Sequence, residues 1–176
     1  MTSARLRRPV PADAGGVLSV HGDPRVYTLD PHETQADLAA AERFLEPILE
    51  HWRTHGFGYW VVLVPHDWWP TGVADDEDPE WVHAGVGGIQ HHALGGTEPV
   101  LNVYFRFAPD LQGRGLARHV LDSALEDAPR LAPGLDLVVR TRPANAAARR
   151  VAERAGFTDL GLSPFEEDMQ LLRRGV

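Results

Sequence analysis

Cysteine is absent from the 176-residue chain, which excludes disulfides, a thiolate nucleophile and thiolate zinc sites. Lysine is absent too: all 17 basic residues are arginine, so no Schiff-base lysine exists, and the bias is what GC-rich codons produce. No apolar run reaches the ~18 residues that a membrane span requires. The segment holding Arg5, Arg7, Arg8, Pro9 and Asp13 offers no continuous apolar stretch for a signal-peptide core. A cytoplasmic protein without a membrane partner is the expectation. Basic charge is also scarce. A formal net charge of −8 and scattered arginines argue against a nucleic-acid partner, which would normally call for a basic face or a strongly basic balance. An acidic surface suits an amine-bearing substrate, and it is equally ordinary solubility chemistry.

The length fits one domain over residues 1–176. Residues Ala4 to Arg8 alternate as a first strand, and Pro11-Ala12-Asp13-Ala14 opens a short helix that stops near Gly22. Thr34 with Asp37 resembles a capping box, followed by Leu38, Ala41, Phe44 and Leu45 at helical spacing until Pro47, which should kink or split the helix. A second piece, Ile48 to Thr54, carries Trp52 and ends before Gly56. Gly58 to Val64 and Trp81 to Gln90 read as hairpin partners, with a bulge or close approach at Gly87-Gly88. Between them, Pro65 to Glu80 is a loop with Trp68, Trp69 and the acidic run Asp75 to Asp78, either functional or simply mobile. Val100 to Phe107 is a strand, Gly115 to Asp127 a helix stopped by Pro129, Leu135 to Thr141 a strand, and Ala144 to Ala155 a helix closed by Gly156. Phe157 to Leu162 and Phe165 to Arg173 complete the set as strands. The expected fold class is α/β: one twisted, mostly antiparallel mixed sheet of about seven strands flanked by helices.

The chemistry concentrates at Gln112-Gly113-Arg114-Gly115-Leu116-Ala117, between a strand and a helix. There, unpaired backbone N–H groups and the positive end of the helix dipole can hold a pyrophosphate. Arg114 and Arg118 add cationic side chains at that point, or are solvated helix residues. A Gly-rich turn of this length is also compatible with a plain turn. A dinucleotide fold is disfavoured, because no acidic ribose partner follows a second parallel strand.

The segment resembles the acetyl-CoA motif of the GNAT superfamily, a Gln or Arg followed by two residues, Gly, one residue, and Gly or Ala; Gln112, Gly115 and Ala117 fill the three positions. Val103 to Pro109 resembles the strand and proline before that motif, and Asn145 with Gly156-Phe157 eleven residues on is similar to the family's second signature. Asp13-Ala14, Asp23-Pro24-Arg25-Val26 and Gly56 to Trp60 resemble the Rim-type branch, which includes enzymes acetylating protein N-termini. Only Pro65 to Glu80 has no counterpart.

The resemblance implies a sheet splayed at the cofactor cleft, with acetyl-CoA or coenzyme A as co-substrate and no metal. It implies that backbone groups of Phe105, Arg106 and Phe107 pair with the pantetheine arm, while Phe105 and Phe107 also read as core residues. Asn145 would bond the cofactor's amide region, or serve as a helix cap. It also implies direct attack of a neutral primary amine, of a small molecule, peptide or protein N-terminus, on the thioester. Positioning supplies much of the rate, and a base or water takes the proton. The family's thiolate-protonating tyrosine falls near Ala152, its serine substitute at Ala148 and its general-base glutamate at Asn102; none of the three residues present can do that work. His92, at the end of a strand, has the right pKa for the base; Glu98 and Glu33 are further candidates, and a surface role for the histidines is the plainer reading. The pair His91-His92 without further ligands makes a poor metal site. Trp60, Trp68, Trp69 and Trp81 either line the acceptor pocket or, for Trp60 and Trp81, belong to the core. The alternative function is a non-catalytic acyl-CoA-binding or sensing module. Nothing in the sequence decides whether two copies pair as a homodimer.

Overall fold

In the computed structural model, which describes residues 4–175, seven strands form one sheet in the order β1-β2-β3-β4-β5-β7-β6. They are β1 (Arg5–Arg7), β2 (Tyr59–Pro65), β3 (Trp81–Leu94), β4 (Glu98–Phe107), β5 (Leu137–Thr141), β6 (Thr158–Leu162) and β7 (Gln170–Arg174). Four helices flank it: α1 (Ala14–His21), α2 (Leu38–His55), α3 (Leu116–Leu131) and α4 (Ala146–Arg154). All neighbouring strands are antiparallel except β4 and β5, which α3 joins as a crossover. The mixed, mostly antiparallel α/β architecture expected from the sequence is therefore present.

Strand alternation explains the two layers of helices. On β4, Leu101, Val103 and Phe105 pack with Leu121, Ala124 and Ala128 of α3 and Ala152 of α4. Tyr104 points the other way, into the cluster of Val17, Ala41, Leu45 and Ile48 contributed by α1 and α2. The buried residues of α3, Leu116, Val120, Leu121, Ala124 and Ala128, recur at three- and four-residue steps. Leu121 is fully buried, and its burial contributes ~1.5–3 kcal/mol; truncation to alanine would cost ~2–5 kcal/mol through the cavity left behind.

Several local expectations are corrected. Pro47 neither splits α2 nor ends it; the proline removes one backbone bond, and Leu45 and Ile48 on either side of it are anchored in the core. Pro129 likewise lies inside the last turn of α3. The cap of α2 is Asp37, whose side chain accepts the Ala40 N–H at 2.8 Å, rather than Thr34. The register shift between β2 and β3 falls where Val62 and Leu63 face Gly85 and His83, making Ala84 the extra residue; Gly87-Gly88 is instead the close approach, where a Cβ on Gly88 would lie 2.9 Å from the Gly58 carbonyl oxygen. Strand β3 runs to Leu94, so His91 and His92 lie within it. The segment Phe165 to Met169 is a loop and only Gln170–Arg174 pairs as β7; Pro164 and the acids Glu166, Glu167 and Asp168 suit a turn.

The Pro65 to Glu80 loop is tied down. Its Ala74 bridges to Val82 of β3, and its Asp75 is 3% exposed. The Arg7 guanidinium reaches both Asp13 (2.6 Å) and Asp75 (2.5 Å), and His83 Nε2 sits 3.7 Å from each carboxylate. This buried ion cluster fastens the loop to β1 and α1.

Candidate active site

The β4–β5 ladder pairs only Leu101 with Leu137, Asn102 with Val138 and Val103 with Val139. Beyond these residues the strands diverge. The Leu101 N–H donates to Asp136 O (2.8 Å), whereas the Ala108 N–H donates to Ala84 O (2.9 Å). Odd-numbered residues of β4 thus aim their backbone at β5 and even-numbered ones at β3. Past the last β5 partner, Phe105 and Phe107 are left presenting N–H and C=O to the gap. Arg106 is corrected on this point: its backbone faces β3 and only its side chain enters the cleft.

The gap is a cleft of about 1080 Å³. Its lining includes Phe105, Arg106, Phe107, Gln112, Gly113, Gly115, Leu116, Ala117, Arg118 and Asn145, so the structure brings these expected residues together. Gly113 and Gly115 both adopt φ of +79°, a left-handed conformation that glycine reaches without a Cβ penalty. This conformation starts α3 with its first amides toward the cleft; Gly113, Gly115, Leu116 and Ala117 donate no turn or capping bond to backbone, as expected for a helix start. The chain here presents converging N–H donors at the positive end of a 16-residue helix.

Other expected residues lie elsewhere. Arg114 turns away and stacks its guanidinium over the Trp68 ring, 4.9 Å from the centroid. Arg118 borders the cleft, but its Nε is held by both carboxylate oxygens of Asp122 at 2.7 Å. His92 is outside the lining; it pairs across from Val100, a full pleat repeat beyond Asn102, and burial together with the Arg140 charge lowers its pKa. Trp60, Trp68, Trp69 and Trp81 are not among the lining residues either; Trp60, Trp68 and Trp69 pack in a cluster with Val62, Val82 and Leu116, and Trp81 lies under the Arg5 guanidinium. Asn145 caps α4, its Oδ1 accepting the Ala148 N–H at 3.2 Å; its amide NH₂ is not used by that bond. Ala148 lines the cleft, but Ala152 is fully buried in the α3–α4 core.

The opposite side of the cleft was not legible from the motifs. Tyr27, Asp30, Glu33, Tyr104, Arg140 and Arg142 line it. Arg142 joins Asp30 (2.5 Å), linking segments 112 residues apart. The Arg106 guanidinium lies over the Tyr27 ring (4.1 Å) and donates to Val26 O (3.0 Å). Tyr27 OH and buried His21 Nδ1 are 2.7 Å apart; burial, with the Arg106 charge behind it, drops the His21 pKa to about 3. Asn102 is bonded on both sides, accepting from Arg140 Nε (2.9 Å) and donating to Tyr59 OH (2.7 Å), and Arg140 also pairs with Glu166. Burial pushes the Tyr59 pKa up to about 12. Of the carboxylates considered as base, Glu98 pairs with Arg173 (2.8 Å), while Glu33 lines the cleft and is 60% exposed. The alternation of Asn102, Tyr104 and Arg106 along β4 was the available signal for this side. No sequence motif announces Tyr27 or Asp30.

The family model for the acetyltransferase (GNAT) domain matches residues 4–158. Among solved structures, the chain is similar to an acetyltransferase from Agrobacterium tumefaciens, with 23% identity, 97% of this chain and 90% of that chain covered and a TM-score of 0.70. It is similar to a GNAT superfamily phosphinothricin acetyltransferase from Sinorhizobium meliloti, solved in complex with acetyl-CoA (16% identity, 99% and 89% covered, TM-score 0.69). A ribosomal-protein-alanine N-acetyltransferase from Brucella melitensis is similar at 18% identity (98% and 99% covered, TM-score 0.66). No curated protein sequence matches.

Proposed function

Because the chain belongs to the GNAT acetyltransferase family, we propose that it moves the acetyl group of acetyl-CoA to the primary amine of a small molecule, peptide or protein N-terminus, by direct attack in a ternary complex. The observation that carries this reading is the coincidence, in one cleft, of two features: the unpaired β4 backbone at Phe105 and Phe107, and the amides of Gly113, Gly115, Leu116 and Ala117 at the start of α3. The amides suit the pyrophosphate of the co-substrate, and the strand edge suits the amide-bearing pantetheine arm. Asn145 has its side-chain NH₂ left to donate to the same arm. Nothing in this arrangement calls for a metal.

The acceptor enters on the side of Tyr27, Asp30, Glu33 and Asn102. Its amine nitrogen attacks the thioester carbonyl, the C–N bond forms and the C–S bond breaks, and coenzyme A leaves as thiolate. Glu33 takes the ammonium proton through water, since it is the cleft carboxylate without an arginine partner. The nitrogen, cationic once the C–N bond forms, passes its second proton through water to the departing thiolate, because Ala148 offers no proton. Positioning then supplies most of the acceleration. Resemblance to the Rim-type branch favours a peptide or protein N-terminus as acceptor.

The test is thiol release from acetyl-CoA across a panel of free amines, peptides and polyamines. With no cysteine in the chain, a thiol reagent reads coenzyme A without protein background. Amine-dependent release with matching acetylated product supports the proposal. Coenzyme A binding without release above the spontaneous rate for any amine would identify a sensing module instead.

A further inference from the structure

The α2 sequence His51-Trp52-Arg53-Thr54-His55 sets two imidazoles one helical turn apart on one face, the spacing that lets a helix present two histidines to one metal ion. Strand β3 brings a third, His91, to the same place. The ring centroids are 4.5 Å apart for His51 and His55, 4.5 Å for His55 and His91, and 5.3 Å for His51 and His91. One ring nitrogen from each falls within 4.8 Å of the others. None of the three lines the acetyl-transfer cleft. We propose that His51, His55 and His91 form a surface site for a divalent transition-metal ion of the zinc class, with water completing the coordination.

The distances fit such an ion. His51 Nε2 and His91 Nδ1 are 3.2 Å apart, close to the edge of about 3.3 Å that a tetrahedron with ~2.0–2.1 Å metal–nitrogen bonds requires. His51 is already oriented as a ligand. Its Nδ1 lies 2.7 Å from the Phe57 carbonyl, an acceptor only, so Nδ1 carries the proton and Nε2 keeps the lone pair, as metal-binding histidines are commonly held. The His91 backbone N–H donates to that lone pair at 3.1 Å; ligation exchanges this bond for the metal's and turns the amide to water. Buried Phe57 sits edge-on to both rings, 5.1 Å from His51 and 5.0 Å from His91, fixing their planes above an apolar floor. His55 ends α2 and is exposed, free to close onto the ion. His92, one residue on, points to the other face of the sheet, so the strand supplies one ligand, His91, and the helix the other two.

The experiment is calorimetric titration of Zn²⁺ into the full chain carrying no polyhistidine tag, with Co²⁺ absorption reporting coordination. One ion per chain is expected. His55→Gln and His91→Gln should each weaken Kd by at least ~10-fold, since even outer partners of a ligand are worth that much, and His92→Gln should leave it unchanged. His51→Gln also loses the Phe57 bond, so His55→Gln, which breaks no hydrogen bond, carries the decision, with circular dichroism confirming its fold. No saturable binding to the parent chain, or a Kd unchanged in folded His55→Gln, overturns the site.

Discussion

Replacing Gly115 by alanine separates phosphate binding from fold stability, because the protein carries its own control. Gly115 at the start of α3 has φ 79° and ψ 10°, and Gly56 at the end of α2 has φ 74° and ψ 7°. The two backbones are nearly identical, and a Cβ on Gly56 meets nothing within 4 Å. A Cβ in this region costs ~1–2 kcal/mol, so Gly115→Ala and Gly56→Ala should lose comparable stability in urea unfolding. They should differ in coenzyme A affinity. Relieving strain at residue 115 rotates the peptides that aim the α3 amides, and forfeiting one charge-assisted hydrogen bond costs ~1.5–3 kcal/mol. By calorimetry, Kd should rise roughly 10- to 100-fold in Gly115→Ala and stay at the parent value in Gly56→Ala. A folded Gly115→Ala protein that binds coenzyme A as tightly as the parent would refute the assignment. So would an equal loss in Gly56→Ala.

Three other outcomes are expected. Burial holds His21 neutral with a pKa of about 3, against 6.5 when unfolded. Above pH 6.5 neither state binds the proton; below it only the unfolded chain does, so stability falls by ~1.4 kcal/mol per pH unit, about 2 kcal/mol by pH 5. Urea midpoints of His21→Phe should decline less steeply than the parent's over that range, and parallel curves would contradict the burial argument. Ala152→Tyr should destabilise by ~1–3 kcal/mol or more through overpacking of the fully buried α3–α4 contact, whereas Ala148→Ser, at the cleft, should fold normally; thermal melts distinguish the two. Glu33→Gln should lower kcat/KM mainly below the pKa of the acceptor amine, where a base is needed; a pH–rate profile overlaying the parent's would leave the proton to water alone.

The sequence displayed most of the elements and half of the cleft. The α3 turn was readable because glycine at residues 113 and 115 reports a backbone conformation directly, and β4 because Val103, Phe105 and Phe107 alternate. What stayed hidden depends on which way side chains turn. Arg114 reads as a phosphate ligand until Trp68, from a loop without family counterpart, is found beneath it. Arg106 reads as a backbone partner until the bond from Ala108 to Ala84 sets the parity of β4. Pro47 overstated the break, since one lost backbone bond is outweighed by the burial of Leu45 and Ile48. The acceptor side, built by Tyr27, Asp30 and Arg142 from segments far apart in the chain, leaves no local pattern to read. The same holds for His51, His55 and His91, where the pair visible in the sequence, His91-His92, is not the pair that meets.

Whether acetyl-CoA lies against the β4 edge with its pyrophosphate on the start of α3 can be read from backbone amides in a ¹⁵N-labelled sample titrated with coenzyme A. Phe105, Phe107, Gly113, Gly115, Leu116 and Ala117 should show the largest shifts and gain protection from hydrogen exchange, while Gly56 and Gly85 should not move. Saturable binding that leaves Gly113 to Ala117 unshifted would contradict that placement.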